Sequence, residues 1–133
     1  MTRARAILFL DGGGALLAAA IMFGFRDALS TLHGFTPALV STLASVNALY
    51  GCYSTSLAVQ AAPSRRAVEF LIAANLAWMI ACSTLVLITW PSATLTGSLH
   101  VGLEGLWVTG LAWAEWKWVR PPAFHDGAAD TSR

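Results

Sequence analysis

The sequence predicts an all-α protein, a transmembrane four-helix bundle with short loops and both termini on the cytoplasmic side. Three observations carry that prediction. Of 133 residues, 56% are hydrophobic and only 11% charged, and the mean hydropathy is +0.62, a composition foreign to a small water-soluble domain. Apolar stretches at residues 6–25, 38–60, 67–89 and 95–117 each approach the ~20 residues that cross a bilayer as a helix. The basic residues Arg3, Arg5, Arg65, Arg66, Lys117 and Arg120 sit before the first stretch, between the second and third, and after the fourth, while the other two connections offer only Arg26. The positive-inside rule then puts both termini in the cytoplasm.

Each stretch ends at a recognisable break. Helix 1 is followed by Arg26, Asp27 and His33-Gly34, helix 2 by "AAPSRR", helix 3 by Trp90-Pro91-Ser92 and helix 4 by Pro121-Pro122. Trp90, Trp116 and Trp118 at helix ends fit an interfacial aromatic belt. Residues 1–120 thus read as one transmembrane domain, and residues 121–133 as a short disordered cytoplasmic tail. A cleaved signal peptide over the first twenty residues would also place arginines before an apolar run, but Asp11 and the glycines Gly12, Gly13 and Gly14 inside that run argue against it.

Polar residues within the stretches are the informative ones, because an ionisable side chain in hydrocarbon is costly and turns toward protein. At ~1.5 Å per residue, Asp11 enters ~8 Å from the cytoplasmic end and Asn75 ~12 Å, while Glu104, Asn47 and Tyr50 reach near the midplane. Helical periodicity puts His100, Glu104, Trp107, Leu111 and Glu115 on one stripe of helix 4, and Asn47, Tyr50 and Ser54 on one stripe of helix 2. Asn75 shares a stripe of helix 3 with Trp78, and Asp11 shares one of helix 1 with Ala15 and Ala18. Packing that turns all of these inward gives a buried polar or ligand-binding set of Asp11, Asn47, Tyr50, Asn75, Trp78, His100, Glu104 and Trp107.

The expected neighbours of Asp11 are Tyr50, Asn75 or Glu104, with Glu104 as its partner carboxylate. Gly12 to Gly14 read as a smooth surface for a neighbouring helix, so that Gly14→Leu should damage assembly more than Leu17→Ala. Glu69 and Glu115, near basic residues, read as interfacial charges, with the mouth of the bundle as the alternative place for Glu115.

Several chemistries lack their reagents. Cys52 and Cys82 lie at different depths and form no C-x-x-C, so they read as small apolar residues. His100 and Glu104 could present a pair of ligands to a metal, but no third ligand matches their depth, and His100 is expected to bond Glu104 instead. No catalytic set, nucleotide fingerprint, cofactor site or metal site is expected, and no nucleic-acid partner.

The segments "LDGGGALLAAAIM", "NALYGCY", "AANLAWMI" and "LEGLWVTGLAWAEWK" resemble the successive helices of a group of small bacterial four-helix integral membrane proteins. Asp11-Gly12, Tyr50, Asn75 and Glu104 carry that resemblance, which implies the fold and an inner-membrane location but no activity. The size of the chain and the acid in helix 1 are also similar to the small multidrug-resistance transporters, from which the glycine-rich start and the acid in helix 4 depart. An accessory or ligand-binding membrane protein ranks first, a proton-coupled transporter second and a membrane-embedded enzyme third. The expected partners are the lipid bilayer, a second copy or another membrane protein, and a small polar or cationic ligand. An open cavity at the polar set favours binding or transport, and a closed hydrogen-bonded core favours a structural role.

Overall fold

The computed structural model describes residues 2–120, and the tail expected over 121–133 lies outside them. The described residues are all-helical and contain no strand: α1 (Arg3–Gly24), α2 (Arg26–His33), α3 (Pro37–Val59), α4 (Arg65–Thr89) and α5 (Leu95–Trp118). The long helices start at hydroxyl caps. Thr2, Thr36, Ser64 and Thr94 accept from the backbone N–H of Arg5, Leu39, Ala67 and Gly97, which satisfies one orphan donor of each first turn. Pro37 follows its cap, where its missing N–H costs nothing.

The sequence reads residues 26–33 as a break, whereas the structure forms α2 there. Eight residues mixing charged, polar and apolar side chains carry too short a period to stand out beside a long apolar run. Gly34 ends this helix at φ 69°, and a Cβ at that position would meet the backbone of Ser92 and Thr94 at 3.0 Å. Glycine is therefore required both for the left-handed conformation and for the close approach. Thr94 fastens the junction: its N–H donates to the His33 carbonyl at 3.0 Å and its hydroxyl to the Leu32 carbonyl at 2.7 Å.

The four long helices pack as two antiparallel pairs, α1 with α3 and α4 with α5. In the first pair Gly12 faces Gly51. A Cβ on Gly12 would lie 2.7 Å from the Thr55 nitrogen and 3.0 Å from the Gly51 carbonyl, and one on Gly51 would lie 2.9 Å from the Gly12 carbonyl. Missing side chains let the two backbones meet. Gly13 and Gly14 do not share this role, since a Cβ on either would have nothing within 4 Å. The expectation that Gly14 is a packing surface is therefore corrected: helical phase turns it away from α3, and Gly12 takes that place.

Contacts between the pairs are sparser, along α1–α5 and α3–α4. They gather at the two ends. One apolar cluster joins Leu8, Leu57, Val68, Leu71, Ile72 and Ala112, and the other joins Met22, Phe35, Val40, Ala44, Cys82 and Val101. Beyond the first cluster, Glu69 accepts from Arg120 at 2.6 Å and from Arg65 at 2.8 Å, and Arg5 donates to the Gln60 carbonyl at 3.2 Å. Among the described residues, α1 and α4 are the helices long and apolar enough to cross a membrane. Serine, threonine and asparagine in α3, and glycine, threonine, histidine and glutamate in α5, dilute the apolar character of those two helices.

Candidate functional site

Between the end clusters the helix pairs stand apart around a cavity of about 390 Å³. Small residues of α1 (Gly14, Ala15, Ala18) make room on one side, and the other helices supply aromatic and aliphatic walls. Gly14, Val46 and Trp107 line it while being exposed at the surface, so it is reached from outside between helices and is not sealed. All eight residues of the sequence-derived set line this cavity: Asp11 from α1, Asn47 and Tyr50 from α3, Asn75 and Trp78 from α4, and His100, Glu104 and Trp107 from α5. Inward-facing stripes on four helices converge on one space.

The polar groups divide into two sets. At the end nearer Leu8, buried Asp11 receives both the Tyr50 hydroxyl, at 2.5 Å, and the Ser54 hydroxyl, at 2.7 Å, on Oδ2. Ser54 is fully buried and also lies 3.2 Å from the Leu8 carbonyl, so the α1–α3 pair is pinned beside the Gly12–Gly51 contact. Glu115 of α5 stands within hydrogen-bonding reach of the Asp11 carboxyl, and the Asn75 amide donates to Glu115 Oε2 at 3.1 Å.

At the other end, Glu104 Oε1 accepts from the Trp78 indole N–H at 2.8 Å and from the Asn47 amide at 3.3 Å. Asn47 also donates to the Leu43 carbonyl at 3.1 Å. Both side-chain bonds to Glu104 fall on one oxygen, which leaves Oε2 without a hydrogen-bond partner among the described residues.

Two expectations need correcting. Glu115 is not an interfacial charge: it has no exposed surface and is the carboxyl beside Asp11. Glu104 does not pair with Asp11, because it is bound to Trp78 and Asn47 at the opposite end. Eleven residues separate Glu104 from Glu115 on one stripe of α5, about three helical turns. That i, i+11 relation to Glu104 was the available signal for Glu115, masked by nearby Lys117 and Arg120.

His100 makes no bond to Glu104; its ring packs edge-on against His33 of α2, with centroids 4.8 Å apart. Burial and the facing His100 push the His33 pKa below its ordinary 6.5. His33 also meets Phe35 edge-on, so α2 closes one end of the assembly with aromatic contacts.

Electrostatically the site is one-sided. Asp11 and Glu104 line the cavity, Glu115 stands behind Asp11, and among the described residues neither lysine nor arginine lines it. The basic residues Arg65 and Arg120 are engaged outside with Glu69. Such a space repels an anion and suits a cation or hydrogen-bond donor whose apolar part rests on Trp78, Trp107 and Tyr50. Among the described residues no group of three histidine, cysteine, aspartate or glutamate side chains converges as metal ligands. Cys52 and Cys82 are free thiols, one exposed and one buried. No protein-family model, curated protein or solved structure matches this chain.

Proposed function

We propose that the chain is a small polytopic inner-membrane protein that binds a small organic cation in the cavity between its helix pairs. The single observation that carries this reading is an accessible, largely apolar cavity with carboxyl groups at both ends and, among the described residues, no lysine or arginine in its walls. A volume of about 390 Å³ falls within the ~300–1,000 Å³ of small-molecule sites. Aromatic faces and carboxylates together are the recognition chemistry of quaternary and protonated amines.

The membrane setting is supported by what the helices turn outward. Besides α1 and α4, α3 exposes Val46, Leu49 and Val59, and α5 exposes Leu99, Leu103, Leu106, Trp113 and Trp116. Water-facing helices would carry charge on those surfaces. In this reading all four long helices span the bilayer as one bundle, and their inward polar residues lower the hydropathy of α3 and α5. The arginines at the starts of α1 and α4 and the end of α5 lie on one side, in keeping with cytoplasmic termini.

The test uses the full chain in detergent micelles. Titration with benzyltrimethylammonium, followed by the fluorescence of Trp78 and Trp107, should saturate, and the Glu104→Gln variant should bind about tenfold more weakly through loss of a cavity-facing charge. Phenylacetate, with the same ring and the opposite charge, should not bind. Equal response to cation and anion would overturn the reading. The carboxyl groups at the two ends also suit a proton-coupled carrier, which uptake of the cation into proteoliposomes under a pH gradient separates from simple binding.

A further inference from the structure

The geometry points to Asp11 and Glu115 as a carboxyl pair that holds one proton and gives it up when a cation occupies the cavity. This rests on the cavity being a cation site.

Two independent features of the structure lead there. Asp11 and Glu115 approach within hydrogen-bonding reach although they belong to different helix pairs, and a carboxyl–carboxyl contact has no donor unless one member carries a proton. Separately, Glu115 is completely buried, and its Oε1 is a buried oxygen with no donor among the described residues, while Oε2 is already served by Asn75. An orphaned buried carboxylate oxygen is a large penalty, removed when that oxygen bears a proton and donates it to Asp11.

Among the described residues the surroundings offer no competing positive charge. From α3 the pair is faced by the titratable Tyr50 and by Ser54, both donating to Asp11 Oδ2, and from α4 by the neutral amide of Asn75. Asp11 belongs to α1 and Glu115 to α5, and among the described residues no lysine or arginine faces them.

Asp11 alone of the pair reaches the cavity, so it is the member a ligand meets, and Glu115 is its proton-holding partner. The exchange balances simply. The Glu115 O–H bond breaks, the proton leaves to bulk water, and the positive charge of the incoming cation takes its place against two carboxylates. The carboxyl pair therefore carries the same net charge when empty and protonated as when it is deprotonated and occupied by the cation. A quaternary ammonium suits the test because it has no exchangeable proton of its own, so every proton that appears comes from the protein.

The experiment has two arms, both on the full chain in micelles. In the ligand-free wild type, infrared spectroscopy should show the C=O stretch of a protonated carboxyl, shifted by deuterium exchange and lost in Glu115→Gln and in Asp11→Asn. Absence of that band from the wild type overturns the proton-holding pair, whether or not the variants fold. Benzyltrimethylammonium titrated into weakly buffered wild type should release one proton per cation bound, with apparent affinity rising about tenfold per pH unit while the pair is protonated. Saturable binding without proton release, and with pH-independent affinity, overturns the exchange but leaves the cation site standing. A cation that does not bind removes both.

Discussion

Gly12→Ala is the smallest change that tests how the α1–α3 pair is built. The added Cβ would lie 2.5 Å from Thr55 Oγ1, 2.7 Å from the Thr55 nitrogen and 3.0 Å from the Gly51 carbonyl. Threonine can rotate its hydroxyl away, but the two backbone atoms cannot move independently, so the helices must separate. Overpacking of this kind costs about 1–3 kcal/mol. It also loosens the Ser54–Asp11 bond one turn away. Gly14→Ala adds the same methyl where nothing lies within 4 Å, and exchanging a mid-helix glycine for alanine gains about 0.5–1 kcal/mol. That gain is common to both variants, so they should differ by the overpacking cost alone, about 1–3 kcal/mol, roughly one to two powers of ten in the unfolding constant. Equilibrium unfolding in mixed micelles of increasing SDS content, followed by circular dichroism, measures that difference. If Gly12→Ala and Gly14→Ala unfold together, the close helix contact at Gly12 does not hold.

Other perturbations probe the polar sets and the membrane placement. Tyr50→Phe removes one of the hydroxyls on Asp11 and should cost about 1.5–3 kcal/mol in the same SDS assay, with no loss if that bond is absent. Because the folded pKa of His33 lies below 6.5, the unfolded chain takes up that proton first as pH falls. Thermal stability should thus be full above 6.5 and decline below it, and His33→Phe should flatten the decline; an unchanged slope would place the sensitivity elsewhere. Reporters fused after residue 133 and within residues 26–36 should give cytoplasmic and periplasmic signals respectively, and the reverse pattern would overturn the topology.

The sequence and the structure agree most closely where a single periodicity suffices. Apolar runs marked the long helices, and an inward stripe on each of them selected residues that do line one cavity. Two kinds of information were not local. The partner of Asp11 depends on how far α5 slides along α1, which no spacing within one helix determines, and Glu115 was hidden by basic neighbours that belong to a different ion-pair group. Likewise the three consecutive glycines look alike in sequence, yet only Gly12 points at α3, because adjacent residues of a helix differ by about 100° in direction. The short α2 was lost for the opposite reason: its eight residues hold too few turns to show a period.

Whether the space between the helix pairs is where a cation binds is tested most directly by filling it. Ala18 lines the cavity from α1, and Ala18→Phe would occupy part of its 390 Å³ while leaving every carboxyl side chain unsubstituted. Isothermal titration of benzyltrimethylammonium into wild type and Ala18→Phe, with SDS unfolding to verify that the variant is folded, makes the comparison. Saturable heat from the wild type and none from a stably folded Ala18→Phe is the expected result. Undiminished binding by the filled variant would contradict the assignment of the cavity as the binding site.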